Sequence, residues 1–128
     1  MAESISATVA NAILDCYFNA TNITAPANVY LKLHIGAPGS AGTANAATET
    51  TRKAISCSAA SGGAITTDAD ITWTNIGGSQ DATHFSVHTD PTAGNFIGSG
   101  TITANAYTAG DTYTIPAGDL DISFTIAS

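Results

Sequence analysis

Val29, Leu31, Leu33 and Ile35 alternate with Tyr30, Lys32 and His34. A helix would scatter residues at that spacing around its surface, whereas an extended backbone sends successive side chains to opposite faces. The segment is therefore a strand with one apolar face, and the same period returns along the chain. Arg52 to Ala59 carries Ile55 and Cys57 on one side and stops at Ser61-Gly62-Gly63, and Ile71 and Trp73 alternate with Thr72 and Thr74 before Gly77-Gly78. Phe85 and Val87 share a face in His84 to His88, and Asp90 to Asn95 is a turn into Phe96 to Thr103, which predicts a hairpin. Tyr113 and Ile115 open another strand, broken at Pro116-Ala117-Gly118. In Leu120 to Ile126, Leu120, Ile122, Phe124 and Ile126 alternate strictly with polar residues, so Phe124 is expected in the core. About seven short strands with frequent turns predict an antiparallel β-sandwich or a partly closed barrel.

One segment differs. Ile5, Val9, Ile13, Cys16 and Tyr17 recur at helical spacing, with Ser4 or Ser6 available as the cap, which predicts an α-helix over about residues 4–18. A helix of that length is marginal alone, so its apolar stripe must dock on its own sheet or on a neighbouring subunit. Gly36 to Thr48 has three glycines, a proline and no large side chain, and reads as a long surface loop of the kind that makes interactions. No internal repeat or boundary divides the 128 residues, which form one domain over 1–128.

Only 10% of the residues are charged, against roughly 25% in an average soluble domain. Neutral polar residues take their place, which suits faces covered by neighbours because little charge is desolvated there. The net charge of −7, with only Lys32, Arg52 and Lys53 as strong bases, excludes a nucleic-acid partner. No run of apolar residues is long enough for a membrane helix. Met1 to Ala10 lacks the basic start of a signal peptide, so synthesis in a host cytoplasm is expected. Cys16 and Cys57 are read as buried free thiols.

Candidate chemistry is sparse. On a strand His84 and His88 share a face with Ser86 between them and lie roughly 13 Å apart, too far to hold one zinc through bonds of about 2 Å. With His34 they are expected to face solvent or an interface. Asp68 and Asp70, and Asp119 and Asp121, form acidic pairs that fit turns and a polar strand face better than a cation site or a glycosidase pair. Gly98-Ser99-Gly100 lacks the spacing of a nucleophile elbow, and no glycine-rich segment ends in the lysine of a phosphate loop. Trp73 is expected in the core, although an exposed tryptophan could stack on a sugar. No cofactor, metal or catalytic residue is assigned.

Thr24-Ala25-Pro26 through Tyr30-Leu31-Lys32-Leu33-His34, followed by a Pro-Gly loop and then Glu49 and Arg52, resembles the opening of a family of small virion structural proteins of tailed bacteriophages. His84 to Asp90 with Gly94-Asn95-Phe96-Ile97-Gly98 is similar to that family's strand–turn–strand, and Ala109 to Tyr113 with Pro116 to Leu120 to its closing hairpin. One departure is Thr50-Thr51-Arg52, where the family often has Tyr-Ala-Arg. The resemblance covers most of the chain and supplies no catalytic residue.

It implies a β-rich virion component, either a head-decoration protein or a tail component. The leading expectation is a capsid decoration protein bound outside a phage head, stabilising the shell by mass action, with the major capsid protein or other virion proteins as partners. A homo-oligomer, preferably a trimer, is expected. The alternative is a minor tail, tube or fibre protein, and a third reading is a carbohydrate-binding domain. Ile5, Val9, Ile13 and Tyr17 on the helix, Pro38 in the loop, and Arg52 and Lys53 are the interface candidates.

Overall fold

The computed structural model describes residues 5–123 and 127. One helix, α1 (Ala7–Asn19), precedes eight strands: β1 (Val29–His34), β2 (Lys53–Ile55), β3 (Ala64–Thr66), β4 (Ile71–Trp73), β5 (Gln80–His88), β6 (Phe96–Tyr107), β7 (Tyr113–Ile115) and β8 (Asp121–Ser123). Three antiparallel pairings build a sheet in the order β2-β1-β5-β6, accompanied by two-stranded ribbons β3-β8 and β4-β7. The arrangement is sandwich-like and does not close into a barrel.

Alternation decides which side of the large sheet meets the ribbons. Leu31 and Leu33 on β1 pair with Val87 and Phe85 on β5, and all four are buried. Opposite Phe85 on β6 stands Gly100. A Cβ there would lie 2.7 Å from the Phe85 ring, so only glycine leaves space for it. The ribbon β4-β7 closes the core with Ile71 beside Ile115 and Trp73 beside Tyr113. Tyr113 also lies 5.1 Å from the Tyr107 ring, and Trp73 donates Nε1–H to the Thr51 carbonyl at 2.9 Å. Trp73 is 1% exposed, which removes the sugar-stacking role considered for it.

Several elements differ from the expectation. β3 was not anticipated: its central Ile65 is partly exposed, so the segment carries no buried alternation to read. The closing segments do not pair as a hairpin, because β7 joins β4 and β8 joins β3. The β5–β6 hairpin is present, its turn closed by Thr89 N–H to Asn95 O at 3.1 Å. Phe124 lies outside the described residues. Cys16 and Cys57 are free, as expected, but half-buried rather than buried.

Ser6, not a residue inside the helix, starts α1: its hydroxyl accepts from Val9 N–H at 3.2 Å. Ser6 N–H also donates to Ile97 O at 2.7 Å, and Ile5 bridges Gly98, so this short stretch ties the helix to the edge of β6. No helix residue is fully buried.

Candidate functional site

Two regions carry more chemistry or more exposed apolar surface than the fold needs: the sheet face away from the ribbons, and the outer side of α1.

The same alternation that buries Leu33 and Phe85 sends His34, Ser86 and His88 to the opposite face of β1 and β5. That face is not solvent. His34 and Ser86 are 0% exposed and His88 3%, a correction to the expectation of solvent-facing or interface histidines. The cover is the 36–48 segment. Its return limb bridges His34 through Ala46, with Ile35 N–H to Asn45 O at 2.9 Å and Ala47 N–H to Leu33 O at 3.1 Å. Gly42, at φ +70°, lies against Phe96 so closely that a Cβ would come within 2.3 Å of the ring. Phe96 in turn stacks at 5.7 Å on His88. The absence of large side chains in this loop, read above as a sign of exposure, is what lets it lie flat on the sheet. Pro38 is accordingly buried and is not on the surface of the chain.

Beneath the loop runs a continuous hydrogen-bonded chain. His34 Nδ1 lies 2.8 Å from Ala44 O, His34 Nε2 lies 2.7 Å from Ser86 Oγ, and Ser86 Oγ lies 2.8 Å from His88 Nε2. A carbonyl only accepts, so Nδ1 of His34 carries the proton and neutral His34 accepts at Nε2. Ser86 has one hydroxyl proton, which goes to His34. His88 must then donate Nε2–H to Ser86, and every polar atom between the two rings is satisfied with both imidazoles neutral. Desolvation by burial lowers the pKa of His34, with Lys32 and His84 adding to it against the Ala44 hydrogen bond. Desolvation, then Arg52, Lys32 and His34, lowers His88 to about 4.

A serine hydrogen-bonded to an oriented imidazole has the parts of an activated nucleophile. Here it has no access: Ser86 is fully enclosed and lines none of the cavities described below. Asp68 and Asp70 tie separate segments of the chain together, and Asp121 stands in β8. Asp68 accepts from the Ser56 hydroxyl, and Asp70 accepts from Ala117 N–H at 2.9 Å. Among the described residues no three His, Cys, Asp or Glu side chains gather as a metal site. A cavity of about 20 Å³ in the core is lined by Leu31, Cys57, Phe85 and Thr67 among others. Thr67 Oγ1 is buried without a partner there.

The second region is the helix. Val9, Ile13 and Cys16 are half-buried and face the domain, as the helical spacing predicts, but Tyr17 points away and is 82% exposed. Leu14 and Phe18, at 55% and 81% exposure, lie on the side of the helix nearly opposite Val9. Sequence reasoning missed both, because the stripe it followed was the inner one. Next to the helix an apolar groove of about 400 Å³ runs between Val9, Ala12, Ile23, Pro26 and Ile97. The remaining interface candidates are not gathered with it. Ile5 is half-buried against Gly98; Lys53 is half-buried in β2 opposite Leu31. Arg52 is engaged within the chain, donating Nη1–H to Asp90 O at 2.8 Å and Ala93 O at 2.7 Å, where it clamps the β5–β6 turn.

The family profile of the podophage GP4 fiber I protein gp80 matches residues 4–123. The chain belongs to this family. It is thus a structural protein of tailed-phage virions, as the resemblance of its strands and turns implied, and the profile covers the helix, the covering loop and all eight strands. The family is described by its place in a fibre and not by a reaction. No curated protein is significantly similar to the chain. No helix among the described residues is long and apolar enough to cross a membrane.

Proposed function

We propose that this fibre-family protein is a component of a phage tail fibre, assembling with copies of itself and with other virion proteins, and has no enzymatic role. The match to a fibre family over residues 4–123 carries this reading and favours the tail alternative over head decoration. The outer side of α1 supports the self-association. Leu14, Tyr17 and Phe18 expose an apolar patch that a monomer has no use for. In a chain of net charge −7, the helix holds a single charged residue, Asp15, whose carboxylate is already bonded to Asn19. Two acidic copies therefore meet with least repulsion at this face, whereas a basic partner would seek the carboxylates elsewhere. A closed ring of three copies, each offering the same helix, buries the patch without leaving an open end.

Labelling the chain in purified particles tests the location: label confined to the tail, in copies matching its symmetry, is expected, and hundreds of copies over the head would contradict it. Sedimentation tests the contact. The full-length protein should run as an oligomer, and the Leu14→Ser/Phe18→Ser variant should run as a monomer with an unchanged β-sheet spectrum. A monomeric wild type, or an oligomer that survives both substitutions, would refute the helix contact.

A further inference from the structure

We propose that the 36–48 segment is an acid-released cover, closed over the sheet at neutral pH and detached when His34 and His88 take up protons. This goes beyond the fibre reading and does not depend on it. An imidazolium would still donate Nδ1–H to Ala44 O, so the cover is conditional on neutral imidazoles through the Ser86 contact at Nε2 and through the burial of both rings. The cover's central tie to the sheet is the bond from His34 Nδ1–H to Ala44 O, and the orientation of that ring is fixed by the Ser86 hydroxyl that His34 accepts. A proton added at His34 Nε2 removes the acceptor, leaving two imidazole donors facing one hydroxyl. A proton added at His88 places a cation under the Phe96 ring, which is the surface on which Gly42 rests.

The carbonyls of Ala44 and Asn45 favour a cation at His34 but are outweighed by desolvation, and among the described residues no carboxylate offsets the burial of either charge. Lys32 on β1, Arg52 before β2 and His84 on β5 are basic, and Tyr30, the β1 partner of His88, is neutral. Phe96 on β6 and Ser99, the β6 partner of Ser86, carry no charge, and the covering loop contains no ionisable side chain. Asp90, two residues beyond His88 in the β5–β6 turn, has its carboxylate occupied by the backbone N–H groups of Thr92 and Ala93. Solvation is the remaining way to accommodate the protons, and solvation requires the cover to lift. The lifted state would uncover more of Phe96, which is half-buried, and present two imidazolium groups that are sealed at pH 7.

Amide hydrogen exchange on the full chain, corrected for intrinsic rates, tests this. The reporters are Ile35, Ala44 and Ala47, whose N–H groups are bonded to the loop or hold it to the sheet. Between pH 6 and 4.5 their opening constant should rise about 10- to 100-fold per pH unit, the range for one to two protons taken up on opening. Amides of the β4-β7 ribbon should keep their protection over the same interval. A His34→Asn/His88→Gln variant should lose the pH dependence of the loop. Wild-type loop amides that stay protected until the whole chain unfolds would overturn the proposal on their own, whether or not the variant folds. So would a folded double variant whose loop opens at the same pH as the wild type.

Discussion

The two faces of the β1–β5 pair are both buried, and they are built by opposite means. On one, Leu31, Leu33, Phe85 and Val87 meet the side chains of the two ribbons in a dry interior. On the other, His34, Ser86 and His88 satisfy one another and one loop carbonyl, under a segment with no large side chains. The first face is held by area and tolerates any pH at which the chain is folded. The second is held by three hydrogen bonds whose donors and acceptors must all be correctly protonated. Apolar burial is worth about 25 cal/mol per Å² with no directional demand, whereas a buried polar chain stabilises only while every member is paired.

Substitutions on each face should show that difference. Phe85→Ala empties a fully buried aromatic site and is expected to cost about 3 to 5 kcal/mol in chemical unfolding, equally at pH 7 and pH 5. A cost below about 1 kcal/mol would show that the ribbons do not pack on that face. Gly42→Val is expected to cost about 3 kcal/mol, because the new side chain meets the Phe96 ring at a positive φ. That loss should be confined to the covered face, seen as faster exchange at Ala47 with β4 and β7 unchanged. Ser86→Ala leaves His34 Nε2 and His88 Nε2–H without their shared partner and should cost about 2 kcal/mol. Thr67→Val removes an unpaired buried hydroxyl beside the small core cavity and should raise stability by about 1 kcal/mol, read as a higher melting temperature.

The pH dependence separates the faces further, and its direction is fixed by the lowered histidine values. A group whose pKa is lower in the folded chain binds fewer protons there than when unfolded, so stability is complete above about 6.5 and is lost as the pH falls. For His88 the loss runs from 6.5 down to about 4 and amounts to roughly 3 kcal/mol at most. His34 acts in the same direction. Partial burial opposes ionisation of Glu49, but hydrogen bonds from Gly77 and Thr51 outweigh it and hold its carboxyl below the usual value; the N–H groups of Thr92 and Ala93 do the same for Asp90. Both carboxylates add their loss only below the ordinary carboxylate range. A urea series should therefore show two acid steps in the wild type and only the lower one when both histidines are replaced.

Much of the apolar face could be read from the chain. Alternation named Leu31, Leu33, Ile71 and Trp73, which are buried, although Val29 is only partly so and Ile35, just past the end of β1, is 45% exposed; Ser6 and the Asp90 to Asn95 turn were marked by their own capping and turn chemistry. The polar face was misread because alternation tells which side chains share a face and not what lies on it. His34, Ser86 and His88 were grouped correctly, yet polarity was taken for exposure, and the small residues of 36–48 for a loop in solvent. Pairing of β3 with β8 and β4 with β7 joins segments far apart in sequence, and three-residue strands hold too few side chains to specify a partner. The outer patch of α1 was visible as Leu14 and Phe18 once two apolar stripes, instead of one, are allowed on the same helix.

Nitrogen NMR of the two imidazoles at pH 6 bears most directly on the claim that the sheet carries a sealed polar face. The account predicts two neutral rings in opposite tautomers, protonated at Nδ1 in His34 and at Nε2 in His88, with His88 titrating at about 4. Two rings that exchange between tautomers and titrate together near 6.5 would place them in water and contradict it.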